Sequence, residues 1–210
     1  AERFRAALEL NPNRIELREA RKLLGPLAAG PLHALAASSE RSSRAGSGRE
    51  HKALALCRRA LKSDPENPAV QVSYALACSA VGRTAEAVAT TRRVLAQKPG
   101  EEVAAAAWAT LLEALRAEGK FREGTQVAGE MLDAVTSNAA RAVGYFQRAA
   151  ALAEMGERLD EALEDAERAL RLSPREMRHF PLAAKGWVHY KRREYARAVD
   201  CLSRAAELGE

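Results

Sequence analysis

Histidine and cysteine are the residues of this chain that could bind a metal ion or act as a nucleophile. The histidines lack the i, i+4 spacing of zinc ligands on a helix, and no pair of cysteines stands beside them; they are His33, His51, His179 and His189. The cysteines have no CxxC spacing, which favours buried free thiols in a reducing compartment; they are Cys57, Cys78 and Cys201. We therefore predict surface or half-buried structural histidines, no metal site and no cofactor.

Two further catalytic patterns are incomplete or missing in the sequence. The Gly119-Lys120 pair lacks the earlier glycine and the following Ser or Thr that a phosphate-binding loop requires. No GxSxG motif occurs, so a nucleophilic serine has no support. These observations predict no catalytic residues, and we expect the chain not to be an enzyme.

A group of acidic residues has the composition of a carboxylate pair that could transfer protons. Its members are Asp160, Glu161, Glu164, Asp165 and Glu167. Carboxylates in the first turns of a helix are favoured by the helix dipole, and Glu164 has an i, i+4 partner in Arg168. The group is therefore predicted to form a solvated helix face.

Basic residues exceed acidic ones by a small margin, 33 Lys and Arg against 28 Asp and Glu, for a net charge of +5. The pairs Arg58-Arg59 and Arg92-Arg93 recur 34 residues apart without exposed aromatic residues between them. Because single-strand nucleic-acid sites combine basic grooves with aromatic side chains, we predict a soluble outer surface and no nucleic-acid binding.

The compartment is predicted from what the sequence lacks. No apolar run reaches the about 18 residues that a membrane span needs, so we expect no membrane insertion. The thiols favour a cytoplasmic protein. A periplasmic or envelope-associated location stays open, because the sequence begins inside a predicted helix and we expect a missing N-terminal segment.

Regular landmarks place these residues on helices. A series of positions recurs 34 residues later: Ala53, Cys57, Ala60 and Pro65 become Ala87, Thr91, Val94 and Pro99. A period of this length predicts stacked helical hairpins, each too small to bury its apolar face alone. The chain is 47% hydrophobic but only 5% aromatic, which suits close contact between Ala- and Leu-rich helices. We predict an all-α protein.

The landmarks also predict repeat boundaries. Residues 1–12 are predicted to be the second helix of an incomplete repeat, and residues 13–65 a degenerate repeat with a flexible Ser/Gly/Arg insertion at 38–50. A phosphorylation or docking loop is the alternative for that insertion. Four further repeats are predicted at 66–101, 102–137, 138–175 and 176–210. In the last of them the first helix is expected over Leu182–Lys191.

The array resembles the tetratricopeptide repeat, a helix–turn–helix family with this period. The best local match is AKGWVHYKRREYARAVDCLSRAAEL, with Gly186, Tyr195, Ala198, Leu202 and Ala205 at signature places. Earlier repeats supply Ala75, Gly82, Ala87, Gly119, Tyr145, Ala149, Gly156 and Ala162. The resemblance implies an α-solenoid of antiparallel helix pairs in a right-handed superhelix. Arg193 departs from the pattern, since it replaces the usual glycine, and Thr136 and Glu210 replace the terminal proline.

Small residues at matched places predict how the two helices of a hairpin meet. Ala75, Ala149 and Gly186 are expected to face Ala87, Ala162 and Ala198, and to allow a close approach. Glycine after the first helix is expected to supply a left-handed cap.

The resemblance also implies a concave groove lined by the first helices. The positions beside the core stripe are Val72, Leu76, Ala106, Ala109, Glu113, Val143, Phe146, Ala150, Ala183, Trp187 and Tyr190. They lack the Lys, Arg and Asn set with which relatives clamp a C-terminal carboxylate, so we predict an apolar or amphipathic, helical or extended segment of a partner protein. The alternative is that Phe146 and Trp187 only complete the packing between helices.

These features predict a non-catalytic scaffold for protein–protein interaction, of a bacterial type. A regulatory or substrate-recruiting module of a larger enzyme, of kinase or glycosyltransferase type, is one alternative. Self-association through the uncapped terminal hairpin is another.

Overall fold

A computed structural model describes residues 48–209 of the chain. Over this range the protein is all-α and contains no strand, as the period predicted. The predicted helix at 1–12 and the part of the degenerate repeat before Gly48 lie outside the described residues. The repeat boundaries themselves stay a prediction.

Nine α-helices follow one another within residues 48–209. They are α1 Gly48–Ser63, α2 Pro68–Ala80, α3 Thr84–Ala96, α4 Glu101–Ala117, α5 Phe121–Ala134, α6 Asn138–Met155, α7 Leu159–Leu172, α8 His179–Lys191 and α9 Tyr195–Gly209. A short 3-10 helix, Arg175–Met177, precedes α8. The chain forms two compact units, one ending at Ala114 and the other beginning at Leu115, so the division falls inside α4.

The core of the first unit is built from small side chains of α1, α2 and α3. Ala53, Cys57, Ala75, Cys78 and Ala87 are fully buried in one cluster. Their small size lets the helices approach closely, as predicted for Ala75 and Ala87, both of which this cluster contains. A second cluster joins α2, α3 and α4 through an alanine and two valines, Val72, Val94 and Ala107.

The core of the second unit packs α6, α7 and α8 together. Its fully buried alanines include Ala149 and Ala162, which we predicted to lie at the meeting point of two helices. Gly144 of α6 lies under Leu132 of α5, and a Cβ added there would approach the leucine side chain to 3.0 Å. Close contact at a small residue therefore also occurs between α5 and α6.

Gly186 lies at a close contact between α8 and α9. We expected it to face Ala198, but a Cβ at this position would lie 2.7 Å from Cγ of Leu202, one turn further along α9. The glycine therefore leaves room for a large leucine, whose side chain supplies the two atoms nearest to it.

The turns between paired helices use the left-handed backbone conformation. Gly156 ends α6 with φ +69°, and Gly82 and Gly119 have φ +82° and +70°. These three glycines confirm the predicted caps. Arg193, which replaces the glycine in the last hairpin, has φ +63°. A residue with a Cβ is strained in this conformation.

Two helices begin earlier than predicted. α8 begins at His179 and not at Leu182, because Pro181 falls in the first turn, where its missing N–H is not needed. α1 begins at Gly48, so the last residues of the predicted insertion at 38–50 are helical. Glu50 lies in the first turn of α1, where the helix dipole favours a negative charge.

Candidate functional site

The predicted inner positions of the first unit lie on α2 and α4. Val72 is buried against Val94 and Ala107, and Leu76 is half-buried beside the cluster of α1, α2 and α3. On α4, Ala106 is exposed and Ala109 is half-buried. Glu113 is buried. The surface that this unit offers at these positions is therefore small and made mostly of alanine.

The predicted inner positions of α6 are buried inside the second unit. Val143, Phe146 and Ala150 have exposed fractions of 8%, 1% and 5%. The ring of Phe146 stacks on the ring of Phe180, with centroids 5.8 Å apart and an interplanar angle of 23°. The sequence did not identify Phe180, because α8 was expected to begin two residues after it. Phe146 therefore has almost no surface with which to contact a ligand.

The predicted inner positions of α8 are more accessible. Ala183 and Trp187 are half-buried, and Tyr190 is 48% exposed. Trp187 and Tyr190 stack with centroids 5.0 Å apart and planes 10° from parallel. Tyr195 of α9 meets Tyr190 edge-on, at 5.8 Å and 62°. We call Trp187, Tyr190 and Tyr195 the aromatic platform.

A lysine lies over one side of the aromatic platform. Nζ of Lys191 is 5.0 Å from the centroid of the Trp187 ring, a cation–π geometry, and 3.7 Å from a carboxylate oxygen of Glu154 on α6. The indole N–H of Trp187 is buried and has no hydrogen-bond acceptor. Trp187 is half-buried, and the exposed parts of the platform are Tyr190 and Tyr195, with exposed fractions of 48% and 57%.

The acidic group on α7 contains a buried ion pair that the sequence did not predict. Asp165 has no exposed surface, and it accepts two hydrogen bonds from Arg148 of α6, from Nε at 2.6 Å and from Nη2 at 2.9 Å. Its hydrogen bond to Asp165 raises the pKa of Arg148. The prediction of a solvated face was therefore wrong for Asp165. It holds for Glu164, which pairs with Arg168 on the surface at 3.3 Å.

Arg148 and Arg168 both lie near the ring of Tyr145. Their guanidinium carbons are 5.8 Å and 5.9 Å from its centroid.

Asp165 comes directly before the buried Ala166 and three residues after the buried Ala162. That position on the apolar stripe is the sequence signal that could have identified Asp165 as buried. The arrangement joins α6 to α7 and offers no carboxylate for proton transfer.

A second charged group surrounds Glu194 in the turn between α8 and α9. Its carboxylate lies 2.7 Å from Nδ1 of His189 and accepts hydrogen bonds from Arg192 at 2.8 Å and Arg197 at 3.2 Å. The contacts with His189 and then Arg192 lower the pKa of Glu194 to about 2. His189 is buried. This histidine therefore has a structural role in the turn that Arg193 strains.

The three cysteines are buried free thiols, as predicted. Burial raises the pKa of Cys78 to about 11 and also raises the pKa of Cys201. A thiol with a raised pKa stays protonated at neutral pH and is a poor nucleophile.

His33 lies outside the described residues, and His51 is exposed. Between Gly48 and Gly209, no three His, Cys, Asp or Glu side chains are grouped to hold a metal ion.

The predicted outer surface of the first unit is basic and exposed. Arg58 and Arg59 on α1, and Arg92 and Arg93 on α3, are all exposed.

None of the helices α1 to α9 is both long enough and apolar enough to cross a membrane.

Part of the chain matches a known protein family. Residues 45–115 match the family model described as tetratricopeptide repeat. Among curated protein sequences, none matches the chain.

The chain is similar in fold to several solved structures. TTC0263, described as a thermophilic TPR protein in Thermus thermophilus, is 22% identical with a TM-score of 0.59, over 77% of this chain and 84% of that one. MamA from Desulfovibrio magneticus RS-1 is 18% identical with a TM-score of 0.56, over 77% of this chain and 86% of that one. MamA of MSR-1 is 19% identical with a TM-score of 0.52, over 84% of this chain and 97% of that one.

Proposed function

We propose that this chain, a tetratricopeptide-repeat protein, is a non-catalytic scaffold that binds a segment of a partner protein on the inner faces of its first helices. Repeats of this kind stack helix pairs and create extended binding surfaces between them. The fold is generally an interaction module rather than a catalytic one.

The accessible aromatic platform is the observation that carries the proposal. Tyr190 is 48% exposed and lies between Trp187 and Tyr195, at a position predicted to face the ligand. Tyrosine and tryptophan are enriched among the residues that dominate binding energy, because each buries a large rigid surface. A stacked pair is already held in place, so little side-chain entropy is lost when a ligand covers it.

The chemistry of the platform favours an apolar ligand segment. The exposed ring of Tyr190 offers a flat apolar face and a hydroxyl group, while the nearby charge of Lys191 is partly neutralised by Glu154. An apolar face at this place suits the apolar stripe of a helix or the side chains of an extended peptide.

The proposal is narrower than the predicted set of groove residues. Phe146, Val143 and Ala150 are buried, and we assign them the task of supporting α8. Trp187 also packs against the core of the second unit. A variant at Phe146 or Trp187 would therefore combine lost packing with lost binding. Tyr190 is the residue at which binding can be tested with the least effect on stability.

The test is capture of partners by the full chain carrying Tyr190→Ala, compared with the wild type and with Leu208→Ala. Leu208 is 46% exposed, so the control removes a similarly exposed apolar side chain from α9. We expect specific partners to be lost with Tyr190→Ala, with binding weakened about tenfold or more, and retained with Leu208→Ala. Equal retention of every specific partner by both variants would refute binding at the platform.

A further inference from the structure

Most arginines of the second unit pair with a carboxylate, and those that do not lie close together. The paired arginines are Arg122, Arg148, Arg158, Arg168, Arg192, Arg197 and Arg204. Within residues 121–209, and apart from Arg193 in the turn before α9, the arginines with no carboxylate within ion-pair distance are Arg141, Arg171, Arg175 and Arg178. We call these four residues the basic end.

The first two members of the basic end lie at the same end of the α6–α7 hairpin. The contacts of Arg148 with Asp165 and of Tyr145 with Arg168 show that α6 and α7 run antiparallel. The same register carries Arg141, in the first turn of α6, to the last turn of α7, which contains the second arginine of the set.

The other two members lie in the short connection from α7 to α8, residues 173–178. Phe180, near the start of α8, stacks on Phe146 of α6. This contact holds the connection beside the N-terminal half of α6. The four charges therefore lie at one end of the hairpin, opposite the turn that contains Gly156.

The helix backbone adds positive charge at this end. α6 and α8 both begin here, and neither has an acidic residue in its first turn, whereas α7 begins with Asp160 and Glu161. The N-terminus of a helix carries a partial positive charge. Arg171 is favoured by the C-terminal end of α7, but the dipole of α6 gives Arg141 no such compensation.

Acidic residues of the neighbouring elements leave the basic end unneutralised. They are Asp133 in the last turn of α5, Glu176 in the connection and Glu207 near the end of α9, and all three are exposed. None of them lies within ion-pair distance of the four arginines. A hydrogen bond from Lys185 lowers the pKa of Glu167, with a smaller contribution from the nearby arginine of α7.

Two polar atoms at this end are buried without a hydrogen-bond partner. One is Nε of Arg141, whose Nη2 donates to the hydroxyl oxygen of Tyr145 at 3.4 Å. The other is Oγ of Ser173, a residue that is 5% exposed. Buried polar groups are normally satisfied, so a ligand that accepts hydrogen bonds here is favoured.

We propose that the basic end binds an acidic segment of a partner protein, whose Asp and Glu carboxylates pair with the four arginines. A guanidinium group matches a carboxylate with two parallel hydrogen bonds. Nucleic acid is a poorer match, because none of the aromatic rings in residues 138–180 is exposed and a base would have no ring on which to stack.

This surface is separate from the aromatic platform. Arg178 precedes the first residue of α8 and Tyr190 lies in its last turn, so the two sites are about 18 Å apart along the helix axis. A partner could therefore occupy the basic end whether or not a ligand covers the platform.

The probe is a fluorescein-labelled decaglutamate peptide, titrated with the full 210-residue chain by fluorescence anisotropy. The salt concentration is kept at about 0.05 M, because higher salt shortens the distance over which exposed charges interact. A labelled peptide of alternating glycine and serine, of the same length, is the uncharged control.

Arg171→Gln combined with Arg175→Gln tests the site, since both residues are exposed and neither takes part in an ion pair. The matched control combines Arg122→Gln with Arg197→Gln, which removes the same charge from two exposed arginines that already pair with carboxylates. We expect the first variant to bind the probe at least about tenfold more weakly than the wild type, and the control to differ by less than about threefold.

Arg141→Gln tests the half-buried member of the basic end by itself. We expect a loss of about tenfold here too, because the side chain loses its charge and its unpartnered Nε–H group. Circular dichroism checks that each variant keeps the helical content of the wild type.

Three results would overturn the proposal. The first is no saturable binding up to about 1 mM, and the second is equal weakening by the Arg171/Arg175 variant and its control. The third comes from the same titrations with a short oligothymidine and with vesicles of phosphatidylserine and phosphatidylcholine. Tighter binding of either one than of the peptide, lost in the Arg171/Arg175 variant, would assign the basic end to phosphate groups and not to a protein.

Discussion

The two hairpins of the second unit, α6–α7 and α8–α9, follow the same repeat pattern but leave different residues accessible. In α6–α7 the large side chains are covered, with Phe146 and Leu152 each 1% exposed. In α8–α9, Tyr190 and Val199 are 48% and 64% exposed. The period determines where each helix lies. The helices that pack against a given helix determine which of its side chains stay exposed.

The two hairpins also differ in where their charged group lies and in the residue that follows the first helix, although each turn contains an arginine with positive φ, Arg158 at +51° and Arg193 at +63°. The first is closed by Gly156 and contains the fully buried Asp165 paired with Arg148. The second is closed by the strained Arg193 and has its charged group around Glu194 in the turn. We conclude that α6–α7 buries its largest side chains, whereas α8–α9 leaves several of its large side chains exposed.

Truncation of one aromatic residue in each hairpin gives the largest expected contrast. Phe146→Ala should lower the free energy of unfolding by about 3 to 4 kcal/mol, because it opens a cavity beside Phe180. Tyr190→Ala should lower it by less than about 1 kcal/mol, since half of the side chain is already in water. Urea unfolding followed by circular dichroism measures both values. Equal losses would show that the two hairpins do not differ as described.

Removal of the buried carboxylate should have the next largest effect. Asp165→Ala leaves Arg148 partly buried without its partner, which should cost about 2 to 3 kcal/mol after allowance for the exposed part of the arginine. Glu164→Ala is the matched control, because its side chain is 66% exposed and its pair with Arg168 lies on the surface. The same unfolding experiment should show a change below about 0.5 kcal/mol for the control. A cost for Asp165→Ala no larger than this would contradict the burial of the pair.

Exchange of the residue that follows the first helix of each hairpin tests the backbone strain at positions 156 and 193. Arg193→Gly should stabilise the protein by about 0.5 to 1 kcal/mol, because glycine adopts the left-handed conformation without a Cβ clash. Gly156→Ala should destabilise it by about 1 kcal/mol, although an added Cβ would meet no atom within 4 Å. Thermal unfolding should therefore shift upward for one variant and downward for the other. A downward shift for both would mean that contacts of Arg193 outweigh its strain.

The smallest effect is expected from the pH dependence of the turn around Glu194. Its pKa is lowered to about 2, so ionised Glu194 stabilises the folded state above its ordinary pKa of about 4.3 and loses this contribution as the pH falls towards 2. The melting temperature of the wild type should exceed that of Glu194→Gln at pH 6, and the two values should converge between about pH 4 and pH 2. Glu164→Gln serves as the control in α7, and it should show a smaller difference at pH 6. A difference for Glu194→Gln that persists unchanged down to pH 2 would contradict the lowered pKa.

The fold was predictable from the sequence because the signals for it are local. The prediction of an all-α chain follows from the recurrence of small residues and prolines, and the left-handed caps follow from glycine at Gly82, Gly119 and Gly156. Each cap depends on residues within one hairpin, and the recurrence can be seen directly in the spacing along the sequence. Arg193 was recognised as a departure, and its positive φ shows that the chain keeps the turn geometry despite the strain.

The candidate site was predictable only in part, because accessibility depends on contacts between side chains of different helices. Phe146 has the right position for a groove residue, but Phe180 covers it, and this contact required knowing that α8 begins at His179. Asp165 was grouped with its exposed neighbours by composition, whereas its position beside Ala162 and Ala166 places it in the core. In both cases a side chain from another helix decided the outcome.

Site-specific photo-cross-linking tests most directly whether the accessible hairpin binds a partner on its inner face. The photoreactive residue p-benzoylphenylalanine replaces Tyr190 in one version of the full chain and Leu208 in the other, and both are irradiated in the native host. We predict a discrete cross-linked product with another polypeptide from position 190 and none from position 208. A product from position 208 alone, or none from either position, would contradict binding at the aromatic platform.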